Sequence, residues 1–127
     1  MVVLGIFLVI MAGISKAVMD NLNFHFHTSI FKNRPTWYWN MEFSYLNKYQ
    51  NQDPTKGPKF FGSTTFLVWT TDAWHLFQMV RQLSLTIGVF ILGNNVDRMW
   101  LSILCWMGLY LLYTTTFEIF YSKIFRK

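Results

Sequence analysis

In the run TTDAWHLFQ, Asp72 and His75 put a carboxylate and an imidazole three residues apart within an apolar stretch. On a helix the two project toward the same side, where the carboxylate can orient the ring and fix its tautomer. Held that way, the pair has the form of a catalytic base and its orienter. The same two groups offer an oxygen and a nitrogen ligand to a divalent metal ion, with Asp20, His25, His27 or Glu118 completing the set. A hydrogen-bonded pair that only joins helices has the same spacing. Residue type alone therefore leaves catalysis, metal binding and packing open.

The elements that must position these groups follow from composition. Apolar residues make up 53% of the 127-residue chain, aromatics 20% and charged residues 13%. A soluble globular domain carries about 25% charged residues, and a domain this small leaves a large share of its surface exposed. The bilayer is the solvent that suits such a chain. The net charge of +5 flanks apolar segments instead of forming a basic stripe with interleaved aromatics, so nucleic acid is not expected as a partner. Cys105 stands alone, which excludes an intrachain disulfide and a cysteine-based metal site.

The pattern predicts an all-α membrane protein, a single domain over residues 1–127. Its three transmembrane helices fall at about residues 2–19, 64–93 and 99–121. The first run, VVLGIFLVIMAGISKAVM, has no basic start and continues into Lys16 and Asp20, so it reads as a retained span. The second, with STT before it as an N-cap, would be about 45 Å long against a hydrocarbon core of ~30 Å. It is expected either to tilt or to break near Arg81 and Gln82, and Gly93, Asn94 and Asn95 are expected to end it. Gly5, Gly13, Gly88 and Gly108 are positions where helices can approach closely, although no GxxxG pair occurs.

Residues 20–62 differ in character. Pro35, Pro54, Gly57 and Pro58 break any long helix, yet Phe24, Phe26, Phe31, Trp37, Tyr38, Trp39, Phe43, Tyr45 and Tyr49 are too many aromatics for a disordered linker. The segment is expected on the membrane surface, with a short amphipathic helix near residues 37–48. Lys32, Arg34, Lys48, Lys56 and Lys59 lie there, and Lys123, Arg126 and Lys127 lie in the tail. Positive-inside bias then predicts an inner-membrane protein with its N-terminus out and its C-terminus cytoplasmic. In that topology Lys16, Asp20, His25, His27, Asp72, His75 and Glu118 gather at the cytoplasmic membrane face. Ionisable groups near membrane depth are costly unless paired or wet, which makes them functional candidates. Arg81 is the difficult one, because no carboxylate lies obviously level with it.

The run DPTKGPKFFGSTTFLVWTTDAWHLFQ, with WYWNMEFSYLNKYQN upstream, resembles a group of small bacterial integral membrane proteins of no established activity. The likeness spans residues 13–80 and implies a membrane fold without implying a reaction. A weaker analogy, by residue types alone, is to membrane-bound metal-dependent hydrolases, which also place Asp and His on short transmembrane helices.

Two expectations about function follow. One is a small polytopic membrane protein whose polar cluster is structural or binds a partner. The lipid bilayer, anionic lipid headgroups and a second copy of the chain are the candidate partners. The other is a metal-dependent hydrolase acting on a lipid headgroup, with Asp72 and His75 as its centre and Lys48, Lys56 or Lys59 attracting the anionic group. An ion or proton path along Lys16, Asp72, His75, Arg81 and Glu118 would require an oligomer. GxxxxGK, HExxH and Gly-x-Ser-x-Gly do not occur, which removes the enzyme classes that depend on them.

Overall fold

The computed structural model describes residues 1–94 and 96–127. Three helices are long and apolar enough to cross a membrane, and together they form an all-α membrane fold. They comprise α1 (Val2–Phe24), α4 (Ala73–Gly93) and α5 (Met99–Glu118). Two one-turn helices, α2 (Thr36–Trp39) and α3 (Met41–Ser44), lie between α1 and α4 among several 3₁₀ turns. Past Glu118 the last helix widens into a π-helical segment, Ile119–Phe125.

α1 is central. About 44% of its apolar window is buried, against 17% for α4 and 6% for the last helix, so the other two helices pack on α1 more than on each other. Gly5 and Gly88 let α1 and α4 approach. A Cβ on Gly88 would lie 3.0 Å from the Gly5 carbonyl oxygen, and one on Gly5 would lie 2.6 Å from Leu92 Cγ. Near the other end of this pair, Ala73 packs with Ala17, Val18 and Leu22, so the two helices run antiparallel. On the α5 side a Cβ at Gly13 would come within 2.9 Å of the Tyr113 carbonyl oxygen. At Gly108 it would meet nothing within 4 Å among the described residues. Asn21 Nδ2 donates to the Tyr121 carbonyl oxygen at 3.4 Å, which sets α5 parallel to α1.

The C-terminal ends of α1 and α5 and the N-terminal end of α4 therefore meet at one end of the bundle. The segment between α1 and α4 closes that end. Phe26 and Phe31 are buried there with Phe125, and Tyr38 and Trp39 pack against them. The tail is tied in by two backbone bonds, Ile30 N–H to the Phe125 carbonyl and Lys127 N–H to the Thr28 carbonyl, both 2.8 Å.

Three local expectations change. The helix expected from residue 64 begins at Ala73, because Asp72 in extended conformation caps it. Residues 64–71 instead form turns, with Thr70 and Thr71 hydroxyls bonded back to the Leu67 and Val68 carbonyls. Such local bonds compete with helix, and so they delay its start. From Ala73 to Gly93 the helix is continuous through Arg81, so it does not break there. The amphipathic helix expected near residues 37–48 is divided: Asn40 is extended between α2 and α3, and a 3₁₀ turn follows over Tyr45–Lys48. Asn95 lies outside the described residues.

Candidate functional site

Asp72 is completely buried, and its carboxylate is shared among three groups of its own chain. Oδ1 accepts from the His75 backbone N–H at 2.9 Å, closing the first turn of α4. Oδ2 lies 2.6 Å from His75 Nδ1 and accepts from the Thr71 hydroxyl at 3.1 Å. One residue thus caps the helix and holds the ring. Satisfying an orphan N–H at a helix start contributes about 1 kcal/mol, and a charged hydrogen bond to the ring adds to it.

With Asp72 accepting, a ring proton belongs on Nδ1, and in the neutral ring Nε2 is then the acceptor. Among the described residues Nε2 has no hydrogen-bond partner. His75 lines an open cleft of about 330 Å³ with Phe66, Trp69, Gln78 and Gln82 among its neighbours. Its ring meets Trp74 edge-on, centroids 5.0 Å apart. Chemically, the arrangement can accept a proton or a hydrogen bond from a hydroxyl placed in that cleft.

The aromatic segment supports this corner from the far side. Asn47 is buried, and its Nδ2 donates to the Trp37 carbonyl at 2.6 Å and the Thr71 carbonyl at 3.1 Å, joining α2 to the residue before the cap. The Tyr38 hydroxyl feels the buried carboxylate. Burial first, and the negative charge of Asp72 second, push its pKa above the ordinary 10.0.

The other candidate ligands have separate partners. Asp20 pairs with Lys16 one turn earlier on α1. His25 Nε2 lies 2.8 Å from the Tyr121 hydroxyl, joining the end of α1 to the π-helical segment. Glu118 is exposed and accepts from the Ser122 hydroxyl. His27 is exposed and stacks edge-on against Phe26. Among the described residues no three His, Cys, Asp or Glu side chains converge in a way that could hold a metal ion. Of the six expected ligands, the structure brings together only Asp72 and His75.

No family model, characterised protein or solved structure matches this chain.

Arg81 finds neither Glu118 nor Asp72. Its Nε donates to the Tyr113 hydroxyl on α5 at 2.8 Å, with the guanidinium 5.9 Å from that ring's centroid. Sequence reasoning missed Tyr113 and Tyr121, because a tyrosine in an apolar helix reads as a membrane-interface residue and gives no sign of a partner. It also missed Asn40 and Asn47. A signal for Asn40 was present in NMEF, an asparagine followed two residues later by the residue whose N–H it caps.

Proposed function

We propose that this chain is a small polytopic membrane protein whose polar end is a structural platform for binding a partner or lipid headgroups. The observation that carries the reading is the state of Asp72: fully buried, with both carboxylate oxygens engaged by Thr71 and His75. A carboxylate committed in this way serves the fold, and Asp20 and Glu118 each pair with a side chain four residues away. The basic side chains of the aromatic segment remain toward the surface, as a platform facing anionic headgroups requires.

The test is the melting temperature of the purified protein, with and without a chelator, alongside its metal content. The structural reading expects His75→Ala to lower the melting temperature and chelation to leave the parent protein unchanged. Near-stoichiometric divalent metal, lost in Asp72→Ala together with a lipid-hydrolysing activity, would replace it with the hydrolase reading. One observation favours that second reading: the His75 ring lines an open cleft, and its Nε2 has no hydrogen-bond partner among the described residues. In that case His75 is the base, Asp72 its orienter, and a water or lipid hydroxyl the proton donor.

A further inference from the structure

A second cleft lies at the same end of the bundle, between the last turn of α1 and the α2–α3 corner, and encloses about 540 Å³. It shares no residue with the Asp72–His75 corner. Asn23, Phe24, His27, Asn40, Glu42 and Tyr45 line it. Asn40 is 3% exposed, and its Oδ1 accepts from the Glu42 N–H at 3.1 Å, which fixes the amide's orientation. Its Nδ2 is left as a buried donor with no partner. A buried donor without an acceptor is costly, so a ligand oxygen that reaches it relieves that cost.

The lining selects the ligand. Glu42 is the only Asp, Glu, Lys or Arg among the residues that line the cleft, so a purely anionic group would meet a like charge. Asn40 Nδ2, the Asn23 amide and the His27 ring supply neutral donors for phosphate or ester oxygens. The Glu42 carboxylate supplies the acceptor that a primary ammonium requires. Phe24, 67% exposed, offers an apolar surface next to these groups. A bilayer-spanning α1 ends at Phe24, which puts the cleft at headgroup level.

We propose that this cleft binds an aminoethyl phosphodiester headgroup, that of a zwitterionic ethanolamine lipid. Glu42 takes the ammonium, and Asn40, Asn23 and His27 take the phosphate. The proposal rests on the membrane-spanning reading and is independent of any role for His75.

The experiment is native mass spectrometry of the full chain released from micelles containing equal amounts of short-chain phosphatidylethanolamine and phosphatidylglycerol. The ethanolamine lipid should be retained about tenfold over the glycerol lipid. Glu42→Gln, at an exposed position, should abolish that preference, whereas Asn40→Asp, which keeps the cap acceptor and removes a phosphate donor, should lower retention of both lipids. Equal retention of the two lipids overturns the proposal, as does an unchanged preference in Glu42→Gln. Should Asn40→Asp not fold, Glu42→Gln decides alone. Free phosphoethanolamine should compete poorly; competition as strong as that of the lipid overturns the lipid source in favour of a soluble phosphoester. Resistance of the chain to alkaline extraction from membranes reports separately on the spanning reading.

Discussion

The α1–α4 contact and the α4–α5 contact solve the same problem in different ways. Between α1 and α4 the backbones approach closely: Gly5 and Gly88 face each other, and any Cβ there would strike the opposite helix. Between α4 and α5 the helices stand apart over an apolar groove of about 190 Å³ lined by Leu85, Val89, Trp106, Leu109 and Tyr110. Arg81 and Tyr113 bridge that separation with one hydrogen bond. In lipid there is no hydrophobic drive to bring helices together, so close packing and interhelical hydrogen bonds must do it. The first contact relies on packing and the second on polarity. Their responses to substitution should therefore differ in kind.

The largest effect should come from filling the close contact. Gly88→Leu puts a side chain where the Gly5 carbonyl oxygen stands 3.0 Å from the new Cβ, and backbone cannot give way as a flexible side chain can. The expected destabilisation is at the upper end of the ~1–3 kcal/mol typical of overpacking. Gly108→Leu, at a position where a Cβ meets nothing within 4 Å, should be close to neutral. Thermal unfolding in detergent compares the two. Equal losses would mean that the cost does not come from the α1–α4 contact, since helix propensity alone favours Leu over Gly at both positions.

Next comes the N-terminal end of α4, where the close contact meets the aromatic segment. Asp72→Ala removes a cap and leaves the His75 ring without its acceptor, for an expected loss of roughly 2–3 kcal/mol. Asp72→Asn retains an acceptor for the His75 N–H and should lose less. If Asn and Ala are equally damaging, the ring contact dominates over the cap. If Asn is harmless, the cap is the whole effect and His75 is free for other work.

The close contact and the end of the bundle differ in how far they were legible from residues alone. Three spans and an aromatic cover were evident, because long apolar runs and clustered Trp and Tyr are strong local signals. The glycines at positions 5, 13 and 88 were visible as candidates, but nothing separated them from Gly108, since that distinction depends on which face meets another helix. The start of α4 was misplaced by an apolar count, which cannot distinguish a threonine-rich turn from a helix. TTD before AWH was the better guide, because Asp in extended conformation with its acceptor aimed at the third following N–H is how a helix begins. The metal set failed to converge for a similar reason. Membrane depth places groups at one level but does not say which faces they share. Asp20, His25 and Glu118 lie near that level on different helix faces, each with a nearer partner.

The polar bridge should give a smaller response. Tyr113→Phe keeps the ring under the guanidinium and removes only the hydroxyl, so the half-buried Arg81 Nε loses its partner. A charged hydrogen bond contributes about 1.5–3 kcal/mol, and residual exposure of both groups places the expected loss near the lower figure. Gly88→Leu should separate α1 from α4, whereas Tyr113→Phe should widen only the α4–α5 groove. Spin labels on α4 and α5, read by distance measurement, should broaden in Tyr113→Phe with the α1–α4 distance unchanged. Broadening of both distances would mean that the three helices respond as one unit and that the two contacts are not independent.

The smallest effect is a pH dependence confined to the closed end of the bundle. Tyr38 has a folded pKa above 10.0, raised by burial first and by the charge of Asp72 second. Between 10.0 and the raised folded value the unfolded chain has released this proton and the folded chain still holds it. The unfolded state then binds fewer protons, so stability falls as pH rises. The contribution is fully present below pH 10.0 and is lost as pH climbs through the folded value. Tyr38→Phe has no phenol to ionise and should flatten that part of the profile while leaving the profile below pH 10.0 unchanged. Asp72→Asn should flatten it in part, because it removes the second cause and leaves the first. A profile in Asp72→Asn as steep as that of the parent would mean that burial alone raises Tyr38. The carboxylate would then be screened from the aromatic segment, and its influence would end at Thr71 and His75.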